Sequence, residues 1–165
     1  SNNGWSKIKV GTTTGYVSSK YLSETKDSSN SSSDNTSNST TSASKVVSYA
    51  KSFLGKPYVW GAQGPSSFDC SGFTYYVFKN SAKITLPRTS KDQSTYGTTV
   101  SKKNLKVGDL VFFDTSGSNS GNVSHVGIYI GSNQFIHASS SKGKVVISDF
   151  NNYYTNAFVK AKRVL

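Results

Sequence analysis

Residues 28–44 read SSNSSSDNTSNSTTSAS, and 16 of these 17 positions are Ser, Thr, Asn or Asp. A stretch whose only apolar side chain is one Ala cannot bury enough surface to offset its ordering entropy. It reads as a flexible linker with a root-mean-square span of about 20–25 Å. The linker confines any sizeable core to residues 45–165 and leaves residues 1–27 as a separate short segment. It also accounts for much of the low hydrophobic fraction, 34%, against about 45–50% in an average globular chain when Gly is counted.

Other classes are excluded by simple counts. No run of about 20 apolar residues occurs, so no transmembrane helix is expected. A single Cys cannot close an internal disulfide. The chain has no Met and shows no leader at Ser1, which reads as a processed or trimmed product. The net charge is +11, and residues 45–165 carry +10 of it, from 15 Lys plus Arg against 5 Asp. Such a balance speaks to partners rather than fold: nucleic acid, anionic membrane and anionic wall polymer are all admissible on charge alone. The basic residues are scattered and match no nucleic-acid-binding motif, so nucleic acid is not expected as a partner.

Before the linker, Gly4-Trp5-Ser6-Lys7-Ile8-Lys9-Val10 and Tyr16-Val17-Ser18-Ser19-Lys20-Tyr21-Leu22 flank a Gly- and Thr-rich turn and read as one β-hairpin. The segment resembles the closing portion of a bacterial SH3-like cell-wall-binding module, of which it would be a remnant. A lone two-stranded hairpin is marginal in water.

After the linker the pattern is helical. Val46, Val47, Ala50, Phe53 and Leu54 share one face of a helix capped by Ser44 and stopped by Gly55 and Pro57. A loop over 58–67 leads to a second helix, from near Asp69 to near Asn80, with Phe73, Tyr76 and Val77 on one face. A short third helix follows Thr89. From Gly108 the period becomes extended, with strands expected at 109–113, 125–130, 134–138, 144–148 and 157–164. Helices first and strands after argue an α+β fold, with the N-terminal helices packed on one side of a mainly antiparallel β-sheet.

Cys70 stands at the expected first turn of the second helix, with Asp69 as N-cap. Unpaired backbone N–H groups and the positive end of the helix dipole favour a thiolate there and can stabilise a developing oxyanion. The alternative is a small buried hydrophobe. A nucleophilic Cys needs a base, and the only imidazoles are His125 and His137. With Gly131, Ser132 and Asn133 as a three-residue turn, Ile130 faces Gln134 and His137 falls opposite Gly127. The two His then share a face as diagonal neighbours, a base and its orienter, and Gly127 leaves room for a substrate or a ring. One Cys with two His lacks the paired spacings of a structural zinc site, so no metal is expected.

Six linked segments carry a recognisable pattern: Pro57-Tyr58-Val59-Trp60-Gly61; Asp69-Cys70-Ser71-Gly72-Phe73; Leu86-Pro87-Arg88-Thr89-Ser90 with Gln93; Val107-Gly108-Asp109-Leu110-Val111-Phe112-Phe113; His125-Val126-Gly127-Ile128-Tyr129-Ile130-Gly131; and Phe135-Ile136-His137-Ala138. In these residues, over 45–165, the chain closely resembles the NlpC/P60 family of cell-wall peptidases. Ala62 departs from the pattern, since many members carry a second Gly there. The resemblance implies a papain-like fold rearranged so that Cys precedes His. It implies a Cys70, His125 and His137 triad that hydrolyses peptidoglycan stem peptides, typically between γ-D-glutamate and the diamino acid, through a thioester and without a cofactor. Tyr58, Asp69, Ser71 and Arg88 are then the expected substrate-side residues, Tyr58 beside the nucleophile and Arg88 pairing a substrate carboxylate. Arg88 also reads as a helix-flanking surface charge, and Trp60 as a core or loop-packing residue.

Two other functions stay open at this point: an amidase of similar Cys/His chemistry that cuts between muramic acid and L-Ala, and a non-catalytic wall-binding protein. The expected setting is a secreted or wall-associated monomer of a Gram-positive bacterium, in contact with stem peptides and anionic wall polymers.

Overall fold

Val46 and Ala50 lose all solvent contact on the inner face of α1, Asp34–Lys51, the first element of the computed structural model, which describes residues 34–117 and 120–165. The hairpin expected over 4–22 and the first residues of the linker lie outside the described residues. Asn38–Leu165 form one compact unit, distinct from the unit that ends at Ser37.

Two boundaries of α1 differ from expectation. The helix starts at Asp34 instead of being capped by Ser44. Once the Val46–Ala50 turn is docked, each further residue adds a backbone hydrogen bond without a new nucleation cost. Ala43, the one apolar residue of the polar tract, is buried, and a Cβ placed on Gly108 would stand 3.2 Å from its methyl. At the other end α1 stops at Lys51, and turns run to Gly55 at φ +88°. Leu54 is therefore swung off the helical face and is 44% exposed.

The remaining elements are α2 (Cys70–Ser81), α3 (Ser90–Gln93), β1 (Thr98–Val100), a 3-10 turn (Lys102–Asn104), β2 (Leu110–Phe113), β3 (His125–Gly131), β4 (Gln134–Ser139), β5 (Lys144–Asp149), α4 (Asn152–Ala157) and β6 (Phe158–Arg163). The strands form a single sheet in the order β1-β6-β2-β3-β4-β5, each neighbouring pair antiparallel. This is an α+β fold. On one sheet face Leu110, Phe112, Val126, Ile128, Ile136 and Ala138 pack with Val46, Phe73, Val77 and Phe78 from the helices. The opposite face is buried too, under Val111, Phe113, Phe135, Phe150, Ala157 and Ala161. Helix α4 supplies part of that second cover.

The β3–β4 turn is shorter than expected. Ser132 and Asn133 both take positive φ, +55° and +62°, the two-residue turn that matches strand twist. Gly131 pairs Gln134, and Ile130 is then the extra residue of a bulge, after which Tyr129 pairs Phe135 and Ile128 pairs Ile136. Bulge and shorter turn cancel, so His137 still falls beside Gly127. A Cβ on Gly127 would stand 2.8 Å from Phe135 Cδ2 and 3.2 Å from His137 Cβ. The space left by Gly127 is filled by the Phe135 ring.

Candidate active site

Helix α2 begins at Cys70 because Asp69 caps it. Asp69 is extended, at φ −94° and ψ −179°, and its Oδ1 accepts from Gly72 N–H at 2.6 Å. The Phe73 N–H turns back to the Asp69 carbonyl at 2.9 Å. The N–H groups of Cys70 and Ser71 thus remain turned toward the Cys70 sulfur, joined by the N–H of Val126 from β3. That last contact sets the sulfur against the backbone just after His125.

The 58–62 loop is tied to the same carboxylate. Gly61 N–H donates to Asp69 Oδ2 at 3.0 Å, and Asp69 N–H donates to the Ala62 carbonyl at 2.9 Å. That carbonyl closes on α2 so tightly that a Cβ on Gly72 would lie 2.1 Å from it. Ala62 itself has no positive φ, so Ala replaces Gly there without backbone strain. Tyr58, from this loop, stands beside Cys70: burial raises its phenol, and negative charge at Cys70 and Asp69 raises it further.

Arg88 is neither a free surface charge nor a free carboxylate receptor. Its guanidinium straddles Asp69, Nη1 to Oδ1 at 3.2 Å and Nη2 to Oδ2 at 2.9 Å, and Nη1 also donates to Ser71 Oγ at 2.9 Å. Asp69 and Ser71 are both buried and both engaged by it. A substrate carboxylate on Arg88 would have to share the fork with a buried carboxylate beside a helix N-terminus. Behind them Gln93, fully buried, donates from Nε2 to the Ser71 carbonyl at 3.0 Å and to the Pro87 carbonyl at 2.9 Å, and accepts from Thr74 at 2.7 Å.

Trp60 also departs from expectation, being 87% exposed on the loop next to Tyr58. Neighbouring Val59 is about half exposed. The loop is held by Asp69 and by the Val59 N–H on the Phe68 carbonyl at 3.0 Å, so it does not need the indole for packing.

The imidazoles are brought together as expected. His125 Nε2 and His137 Nδ1 are 2.7 Å apart, with ring planes at 83°. The facing nitrogens share one proton at that separation, which leaves no room for a metal between them. His137 has no solvent exposure and is flanked by the rings of Phe135 and Tyr154, at 4.6 and 5.8 Å. Its Nε2 meets Ser148 Oγ at 2.8 Å. Sequence reasoning misses Ser148, a single Ser in a strand with no motif around it. It also misses Asp114, which accepts from the N–H groups of Ser116, Ser120 and Gly121 and pins the loop that leads into His125. The Ser116 hydroxyl and N–H, helped by the hydroxyl and N–H of Ser120, hold its carboxyl well below the usual range.

Burial sets the resting protonation state. It pushes the Cys70 thiol up, the Asp69 charge adds to this, and the three backbone N–H groups only partly offset it. Burial also lowers His125 to about 4 and His137 well below its ordinary value. Burial thus opposes the expected thiolate and favours neutral imidazoles, because desolvation outweighs the helix terminus. A thiol that hands its proton to His125 as a bond forms is general-base nucleophilic chemistry.

Known proteins are similar to this chain in sequence and fold. A model of the NlpC/P60 family matches residues 55–163. The probable endopeptidase p60 of Listeria innocua is 49% identical over 96 residues, 58% of this chain and 20% of that protein. A γ-D-glutamyl-L-lysine dipeptidyl-peptidase of Bacillus cereus is 39% identical over 124 residues, 74% of this chain and 37% of its own length. The chain thus spans between a fifth and two fifths of these relatives. The crystal structure of an NlpC/P60 family protein from Bacillus cereus superposes with a TM-score of 0.68 at 38% identity, covering 73% of this chain and 39% of that one. With a family match over about two thirds of its length and a shared fold around Cys70, His125 and His137, the chain belongs to the NlpC/P60 family.

Proposed function

We propose that this chain is a cysteine endopeptidase that hydrolyses peptidoglycan stem peptides at the bond between γ-D-glutamate and the diamino acid. The observation that carries the reading is the hydrogen-bonded pair of buried imidazoles, 2.7 Å apart, next to a Cys at a helix N-terminus. The name of the Bacillus cereus relative supports the choice of bond.

The Cys70 proton passes to Nδ1 of His125 as the sulfur attacks the amide carbon. His137, bonded to the far nitrogen of His125, holds the ring in place and stabilises the charge it gains. The carbonyl oxygen turns negative toward the N–H groups at the start of α2 and the Tyr58 hydroxyl. Collapse breaks the C–N bond, and the proton on His125 goes to the departing amine. Water then cleaves the thioester, releasing the carboxylic acid and restoring the thiol. Trp60, exposed beside Tyr58, offers an apolar face to substrate in place of the packing role expected of it.

The charge supports an anionic, Gram-positive wall as the setting. Both arginines of residues 45–165 are spent on aspartates, Arg88 on Asp69 and Arg163 on Asp109 at 2.8 Å, so lysines carry the surplus to the surface. Attraction of that kind weakens with added salt.

The test is mass spectrometry of products from defined muropeptides containing diaminopimelate or lysine. A new amino terminus on the diamino acid is expected. Release of whole stem peptides from muramic acid would identify an amidase instead, and no cleavage of any defined muropeptide would remove the enzymatic reading.

A further inference from the structure

The His125–His137 pair admits two proton arrangements, and only one leaves His125 able to act as a base. In the first, His125 Nε2–H donates to a bare Nδ1 of His137, and Nδ1 of His125 is unprotonated. In the second, His137 Nδ1–H donates to a bare Nε2 of His125, and the proton of neutral His125 then sits on Nδ1, the nitrogen that His137 leaves unengaged. The heavy-atom geometry of the pair is the same in both. What chooses between them lies at the other end of His137.

Nε2 of His137 meets Ser148 Oγ at 2.8 Å. Ser148 comes from β5, where it pairs Phe135 across the ladder and so stands diagonal to His137 on the same sheet face. A hydroxyl has one proton and two lone pairs, so it accepts from Nε2–H or donates to bare Nε2. Acceptance gives the first arrangement and donation gives the second. Tyr154 lies beside Ser148: its ring packs at 5.8 Å from His137 and 4.9 Å from Phe135, and its phenol is close enough to the Ser148 hydroxyl to interact with it. Helix α4, capped by Asn151 on the Tyr154 N–H at 3.0 Å, places that phenol.

We propose that Ser148 is a positioning residue that orders the protons of the site: with its one proton directed onto Tyr154 it accepts from His137 Nε2, which leaves Nδ1 of His125 bare toward Cys70. The chain of donors runs one way, from His125 to His137 to Ser148 to Tyr154. This gives α4 and the second core a role in the reaction, although neither touches the sulfur. The inference rests on the proposed Cys70 chemistry for its kinetic consequence, but not for its tautomers.

The experiment reads both. Nitrogen-15 histidine spectra of the Cys70→Ala protein report where the protons sit without turnover. Both imidazoles are expected in the Nε2–H form. Adding Ser148→Ala introduces the Nδ1–H form. In the otherwise native enzyme, Ser148→Ala lowers kcat by roughly ten- to a hundredfold, the scale set by losing one buried hydrogen bond, with KM within about twofold. Ser148→Thr, which keeps the hydroxyl, recovers most of the loss. Tyr154→Phe frees the Ser148 proton and gives a partial mixture of tautomers with a smaller loss of kcat. Unchanged tautomers in Ser148→Ala overturn the proposal, whether or not kcat falls, and so does a kcat loss that Thr does not restore. Failure of the Cys70 reading shows separately, as muropeptide cleavage that survives Cys70→Ala while the tautomer result stands.

Discussion

Gly72 shows how one residue type is dictated by its neighbour rather than by its own element. A helical Gly costs about 1 kcal/mol relative to Ala, yet a methyl at this position would lie 2.1 Å from the Ala62 carbonyl and 2.8 Å from Asp69 Oδ1. Both atoms belong to the loop and cap that aim Cys70. Gly72→Ala must therefore push the 58–62 loop away from α2. The expected outcome is a folded protein with muropeptide cleavage reduced at least tenfold, measured beside a circular-dichroism spectrum close to that of the parent. Gly127 is a comparable case in the sheet, its missing side chain replaced by the Phe135 ring that flanks His137.

At the scale of elements, the start of α2 is a small electrostatic assembly: a capping carboxylate, a guanidinium and a sulfur. Asp69 raises the thiol, and Arg88, bonded to both carboxylate oxygens, moderates that charge. In Arg88→Met the carboxylate loses its partner while staying buried. The stability loss is expected at about 1–3 kcal/mol, below that of a fully buried pair because Arg88 is a third exposed. The pH at which iodoacetamide begins to alkylate Cys70 should move up. An unchanged alkylation profile would separate Arg88 from Cys70. How far the sequence showed all this follows from the kind of signal each part leaves. The Asp69 cap, the short helix after Thr89, the apolar face of α2 and the strands after Gly108 are local patterns, and they stand where those patterns put them. The diagonal relation of His125 and His137 was legible because strand period and register are local as well. The roles of Arg88, Ser148 and α4 were not, since each depends on which residue tertiary packing brings opposite. Asn152–Ala157 carries no apolar period of its own, and β1 is only three residues long. Helix α1 starts earlier than its local pattern indicates, because propensity alone does not register docking of Ala43.

For the whole molecule, the buried histidines couple stability to acidity. His125 titrates at about 4 when folded, against 6.5 in the unfolded chain, so below pH 6.5 the unfolded chain takes up a proton that the folded one refuses. Its contribution is complete above pH 6.5 and is lost as pH falls toward 4, on the order of 3 kcal/mol over that window. Urea unfolding of the parent and of His125→Gln should converge in stability as the pH is lowered, and parallel curves would remove His125 as the cause. In the proposed mechanism a neutral Cys70 thiol, deprotonated by His125 during attack, carries the acyl group of the stem peptide. Intact-protein mass spectrometry of enzyme quenched with acid during turnover of a defined muropeptide tests it most directly. A covalent adduct is expected with the mass of the γ-D-glutamyl side of the substrate, mapped to the peptide that contains Cys70 and absent from Cys70→Ala, which does not turn over. Turnover by Cys70→Ala, or an adduct mapped to another residue, would contradict it.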